Sequence, residues 1–354
     1  MRVKSLLGRL GHIALIFLGA VVCGYFARLL QFPLPWMLGA LVFSSAVRML
    51  DLPVRIPVQT RQLGQILVAS SVGLAFTPEA LQVMLSMFFP MVLAALLTIV
   101  IAFSVGVLLM WLTKVEATTA ILASMPLGPV ESAVLAQKFG VVPGPVVFAQ
   151  TTRIVFLVVL IPPLIVLLDG TISDPVMVLQ GLEWTASGAL TLFAFGVGGS
   201  LVAKLLRLGN PFFIGALGGA AFCAALGLQI TPFPYVVLAC AQVFLGIWLG
   251  AVLDRDLIRN ARGFIPNSIA TSLVLIALCG GMGVALTWLT GQPWTVMVLA
   301  TAPGSVTEMA LTAKILQEGL ALVTAFHLVR IFIIIPFAPF IIGQAVRWTC
   351  RWGL

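Results

Sequence analysis

The chain has 354 residues, of which 61% are hydrophobic and only 8% charged, with a formal net charge of +8. That charged share, far below the ~25% of soluble domains, and a mean hydropathy of +1.17 exclude an ordinary soluble fold. Lys and Arg lie in short loops between apolar runs, so they read as topology signals and no nucleic-acid partner is expected; five scattered cysteines and two histidines predict neither a metal nor another cofactor.

Apolar runs suited to a ~30 Å hydrocarbon core follow one another along the chain. The first, 12–30, comes after a basic start and has no A-x-A cleavage site, so it reads as a retained helix rather than a signal peptide. Runs at 33–50, 62–78 and 84–112 come next. The fifth, 117–139, is broken by "MPLGP", with Pro126, Gly128 and Pro129 at the break and Glu131 just beyond it. The sixth, 144–168, carries Arg153 among apolar neighbours, preceded by Gln150. After an acidic linker the series starts again at 184–206, 210–227, 232–253 and 263–290. Run 295–317 is broken by "TAPGSVTE", with Pro303, Gly304 and Glu308, and run 319–346 carries His327 and Arg330.

This is an internal repeat. "FLGAVVCGYFARLLQFPLPWMLGAL" aligns with "AFGVGGSLVAKLLRLGNPFFIGAL", and "GQILVASSVGLAFTPE" with "AQVFLGIWLGAVLDRD". At an offset of 176 or 177 residues Gln65 falls on Gln242, Pro126 on Pro303, Glu131 on Glu308, Gln150 on His327 and Arg153 on Arg330. The organisation is a first membrane repeat, 1–168, an acidic periplasmic linker, 169–183, and a second membrane repeat, 184–354.

Charge distribution bears on the orientation of the copies. If all twelve runs cross, Lys and Arg divide almost evenly between the two faces. If the broken fifth run of each copy dips in and returns, fifteen of the 19 Lys and Arg fall on the cytoplasmic side. Arg28 and Lys314 then fall outside, with Arg153 and Arg330 within the runs. That distribution obeys the positive-inside rule. The expected fold is therefore an all-α polytopic membrane protein of two inverted repeats, with about ten transmembrane helices and two re-entrant or broken ones. Both termini are expected in the cytoplasm and the chain in the bacterial inner membrane.

Broken backbone at membrane depth is tolerated where protein buries it or a cavity meets it. The helix beyond each break points its positive end at the tip, and Glu131 and Glu308 sit in that first turn. They read either as charge caps or as ligand- or proton-binding acids. An Arg at mid-helix costs ~2.5–3.5 kcal/mol even on the lenient scale, so Arg153 and Arg330 need partners. Either each clasps the glutamate 22 residues earlier, or the two guanidiniums hold an anionic ligand. His327 is a candidate proton carrier; Gln65 and Gln242 either line the same cavity or bond between helices.

The doubled "PWMLGAL", "GQILVASSVG", "PLGPVE" and "TTRI" unit resembles the AbrB family of bacterial membrane proteins over nearly the whole chain. The resemblance implies a duplicated membrane domain. It also brings the labels transcriptional regulator and ammonia monooxygenase. The residues offer neither a soluble basic module for DNA nor clustered histidines for copper, and no enzymatic activity is expected. The expected function is ion-coupled secondary transport or export of a small anionic or zwitterionic solute by alternating access. The alternative is a membrane sensor that binds a ligand without moving it and affects gene expression indirectly. The expected partners are the lipid bilayer and a small solute, and the sequence is compatible with a homo-oligomer.

Overall fold

The computed structural model describes residues 2–30, 32, 34–52, 56–169, 183–208, 210–228, 230–252 and 263–352. The linker segment 170–182 and the basic loop with Arg255, Arg259 and Arg262 lie outside the described residues. Every regular element among the described residues is a helix. Five are long and apolar enough to cross a membrane, or six if the bent pair Val58–Gly73 and Pro78–Ser86 is one span.

The chain divides into two compact units, and each draws on both copies of the repeat. The first takes Met1–Glu79 and Val166–Arg255, the second Ala80–Ile165 and Asp256–Leu354.

The first unit holds α1 (Arg2–Leu29), α2 (Pro35–Met49), α3 (Val58–Gly73), and, past the helices of the other unit, α9 (Ala186–Leu205), α10 (Pro211–Ala225) and α11 (Tyr235–Ala251). α1 leaves Leu15, Leu18, Val22 and Phe26 exposed, an apolar face suited to lipid rather than water. The helices interlock by exchange between the copies. α2 packs on α11 and α3 on α10, while α1 packs on α2 and α9 on α10. Glycines set the close approaches. A Cβ on Gly39 would stand 2.5 Å from the Cys23 carbonyl oxygen, and one on Gly215 would overlap the matching carbonyl of Gly199. Gly24 lies against Trp36 and Gly19 against Phe43, so α1 and α2 run in opposite directions. Gly246 lies against Met37 and Ala40, and Gly250 against Leu41 and Ser44, so α2 and α11 run in the same direction.

The second unit holds α5 (Phe88–Thr113), α6 (Ala117–Ser124), α7 (Pro129–Lys138), most of α4 (Pro78–Ser86) and α8 (Pro143–Asp169), α12 (Ile265–Thr290), α13 (Trp294–Thr301), α14 (Val306–Leu316) and α15 (Leu320–Trp352). α4 falls across the gap between two of the apolar runs. Pro78 at its start and Glu79 in its first turn are helix-start signals. The doubled plan continues here: Gly106 of α5 meets the Cα of Ile121 in α6, and Gly283 of α12 meets the Cα of Val298 in α13.

The sequence expectation of about ten crossings exceeds what helix length alone supplies. α2 and α10 have 15 residues each and α11 has 17, short of the ~20 that a full crossing takes.

Candidate functional site

Both broken runs of the sequence are broken helices in the structure. α6 stops at Ser124 because Pro126 cannot continue it and pushes the preceding residue out of the helical region. Met125 accordingly has φ −60 and ψ 136. Gly128 is extended, and Pro129 opens α7 at the position where its missing N–H is harmless. The second copy repeats this. Ala302, before Pro303, has φ −51 and ψ 131, and α14 starts at Val306 after Gly304 and Ser305.

A helix end leaves its last carbonyls without intrahelical partners, and these are buried. Two side chains of α8 satisfy all four from Leu122 to Met125. Gln150 donates from Nε2 to Leu122 O and Met125 O, both at 2.7 Å. Arg153 donates from Nη1 to Ala123 O at 3.4 Å and Ser124 O at 3.0 Å, and from Nη2 to Met125 O at 3.1 Å. Its Nη2 also donates to Gln150 Oε1. A cation at a helix C-terminus is favoured by the macrodipole as well.

The second copy uses the same device with one substitution. Arg330 donates to Ala302 O at 2.6 Å and Gly304 O at 2.5 Å. His327 stands where Gln150 stands. Its Nε2 is 2.9 Å from Leu299 O, and its Nδ1 is 2.8 Å from Arg330 Nη2. A carbonyl only accepts and a guanidinium only donates. The ring is therefore assigned as neutral, with the proton on Nε2. A second proton on Nδ1 would face an N–H donor, which weighs against His327 as a proton carrier.

Arg153 does not clasp Glu131: its hydrogen-bond partners are carbonyls and Gln150, the polar residue one turn earlier. Arg330 in the same way donates to carbonyls and stands against His327. The physical reason is proximity of a stronger demand, since a frayed helix end within α8's reach offers several acceptors at once. Glu131 instead folds back on its own tip, where its carboxylate occupies the space that a side chain on Gly128 would take. Glu131 Oε2 is buried without a hydrogen-bond partner. Glu308 holds the matching place in the first turn of α14.

Gln65 and Gln242 belong to the first unit, on α3 and α11, which pack together. Both are buried, and Gln242 Oε1 has no hydrogen-bond partner. The remaining sequence-derived residues, Glu131, Glu308, Gln150, His327, Arg153, Arg330 and the tips, belong to the second unit.

One feature has no signal in the sequence. Beside Arg153 a narrow crevice is lined by Ser124, Ser268, Thr271 and Ser272 among apolar neighbours. The three residues from α12 lie at ordinary helical spacing, and only the fold brings them to a guanidinium.

Comparison with known proteins places the chain in a group. The family model described as "Transition state regulatory protein AbrB" matches residues 36–345. The YhjN protein of Bacillus subtilis (strain 168) is 25% identical over 344 residues, covering 89% of this chain and 88% of its own. The AbrB protein of Escherichia coli (strain K12), whose name assigns it provisionally as a regulator, is 26% identical over 313 residues, covering 87% and 88%.

Proposed function

The chain belongs to the AbrB family, and from that premise we propose that it is an ion-coupled secondary transporter of a small anionic or zwitterionic solute, working by alternating access. The observation that carries the reading is the doubled broken helix with a buried guanidinium at each break. Breaks of this kind present backbone and charge to a cavity in many transporters.

The fold proposed is ten crossings with two re-entrant helices, in inverted repeats. The direction of α2 against α11 supports inversion. These are the second helix of one copy and the third of the other. Successive crossings run oppositely, so the second and third helices of a copy are taken as antiparallel. Copies of like orientation would then set α2 against α11, whereas inverted copies set them parallel. The Lys and Arg distribution supports cytoplasmic termini in the bacterial inner membrane. Glu131 and Glu308 are assigned the coupled proton, and no catalytic step is assigned.

The test is flux in proteoliposomes under a pH gradient, read as transport currents with a panel of carboxylates and amino acids. Saturable currents reduced by Glu131→Gln are expected. Saturable binding with no current would overturn transport. It would favour a membrane sensor, the reading suggested by the regulatory names of the family and the E. coli relative.

A further inference from the structure

Arg153 has five N–H donors, and the cap on α6 engages four of them, two on each Nη. The fifth, on Nε, is buried and has no partner. Ser268 Oγ, in the wall of the adjoining crevice, is likewise buried and unpartnered. Both residues are 1% exposed. Thr271 differs, since its hydroxyl donates to Asn267 O at 2.8 Å. A cation with an idle N–H and a serine with an idle hydroxyl thus line one crevice, where an unmade hydrogen bond is expensive.

The other copy shows that the helix cap does not require this arrangement. At the positions matching Ser268, Thr271 and Ser272 stand Met91, Ala94 and Ala95, and at the position matching Ala149 stands Phe326. All four are buried. Arg330, whose Nε is likewise buried without a partner, caps its helix in that apolar setting. It is therefore the hydroxyls and not the idle Nε that set the surroundings of Arg153 apart, and they serve something other than the cap.

We propose that the crevice beside Arg153, too narrow as it stands for a water molecule, widens to seat an oxyanion, a carboxylate or a phosphate-type group, which accepts from Arg153 Nε and Ser268 Oγ with Ser272 at its edge. The cationic end of the site is then one-sided. Arg153 binds and Arg330 is structural. Naming this oxyanion as part of the transported solute rests on the transporter reading; the seat itself does not.

The experiment uses the purified full-length protein in lipid-free detergent, with thermal unfolding followed by tryptophan fluorescence. Acetate, inorganic phosphate and sulfate are titrated against chloride at equal ionic strength. At least one oxyanion should raise Tm saturably where chloride does not. Ser268→Ala/Ser272→Ala should weaken that affinity about tenfold, the worth of one hydrogen bond to a charged group. Ala149→Phe, which imports the second copy's residue, should abolish it. No oxyanion-specific shift, or unchanged affinity in both variants, overturns the seat. A shift seen only with added phosphatidylglycerol keeps the seat but gives it to a lipid headgroup, overturning the cargo assignment. Oxyanion binding lost in the variants of a protein that shows no flux leaves the seat standing and removes transport. Flux unaffected by both variants overturns the cargo assignment and leaves transport standing, with the seat decided by the Tm titration alone.

Discussion

Gln150 and Arg153, one turn apart on α8, together hold every carbonyl from Leu122 to Met125 at the end of α6. A helix can stop inside an apolar environment only if its terminal acceptors are met, and here the division of labour is complete. The arginine is therefore first a structural cap, and only its Nε is left for a ligand.

Arg153→Lys should destabilise the protein by about 1–3 kcal/mol, because a point-charge ammonium with three donors cannot span the carbonyls that a planar guanidinium spans. Thermal unfolding in nanodiscs measures it. A Lys variant as stable as the parent would show that the cap carries no weight.

The pairing of Gln150 with His327 makes an exchange testable. A glutamine at 327 can donate to Leu299 O and accept from Arg330, as Gln150 does for its own partners. His327→Gln should therefore stay within about 0.5–1 kcal/mol of the parent, whereas His327→Leu should lose about 1–3 kcal/mol by orphaning both partners. Flux that keeps its pH dependence in His327→Gln would assign the coupled proton elsewhere. Loss of that dependence would restore the histidine as carrier.

Close approach of backbones gives a prediction with its own control. Gly215→Ala, whose new methyl overlaps the Gly199 carbonyl, should force α9 and α10 apart and cost about 1–3 kcal/mol. Gly218→Ala, where nothing lies within 4 Å, should be neutral or slightly stabilising, since alanine favours helix over glycine. Equal unfolding temperatures for the two variants would refute the packing argument.

Much of this architecture is legible in the residue types alone. Pro126, Pro303 and their glycines act on the backbone itself, so the amino-acid sequence locates the broken helices. The repeat is visible for a related reason: Gly39 and Gly215 answer to the same contact, and a position that admits no Cβ leaves the same letter in both copies. The partners of Arg153 are not legible, because a carbonyl acceptor has no side-chain signature and any residue can supply it. A search for counter-charges therefore points to Glu131, which the fold turns back on Gly128. Ser268, Thr271 and Ser272 have the pattern of hydroxyls bonded to their own helix, as Thr271 is. Only the packing of α12 on α6 and the crevice they line beside Arg153 change their meaning.

Orientation of the copies can be read from two matching turns, 114–116 between α5 and α6 and 291–293 between α12 and α13. Inverted repeats put equivalent turns on opposite faces of the membrane; repeats of like orientation put them on the same face. In a cysteine-free background, a cysteine replacing Glu116 should react with a membrane-impermeant thiol reagent only after lysis. One replacing Gln292 should react on intact cells. That outcome agrees with the parallel run of α2 and α11 and with the positive-inside count. Identical accessibility at both positions would make the copies parallel. The two guanidinium caps would then lie in the same half of the membrane, and a single central site flanked by both broken helices would lose its geometric basis.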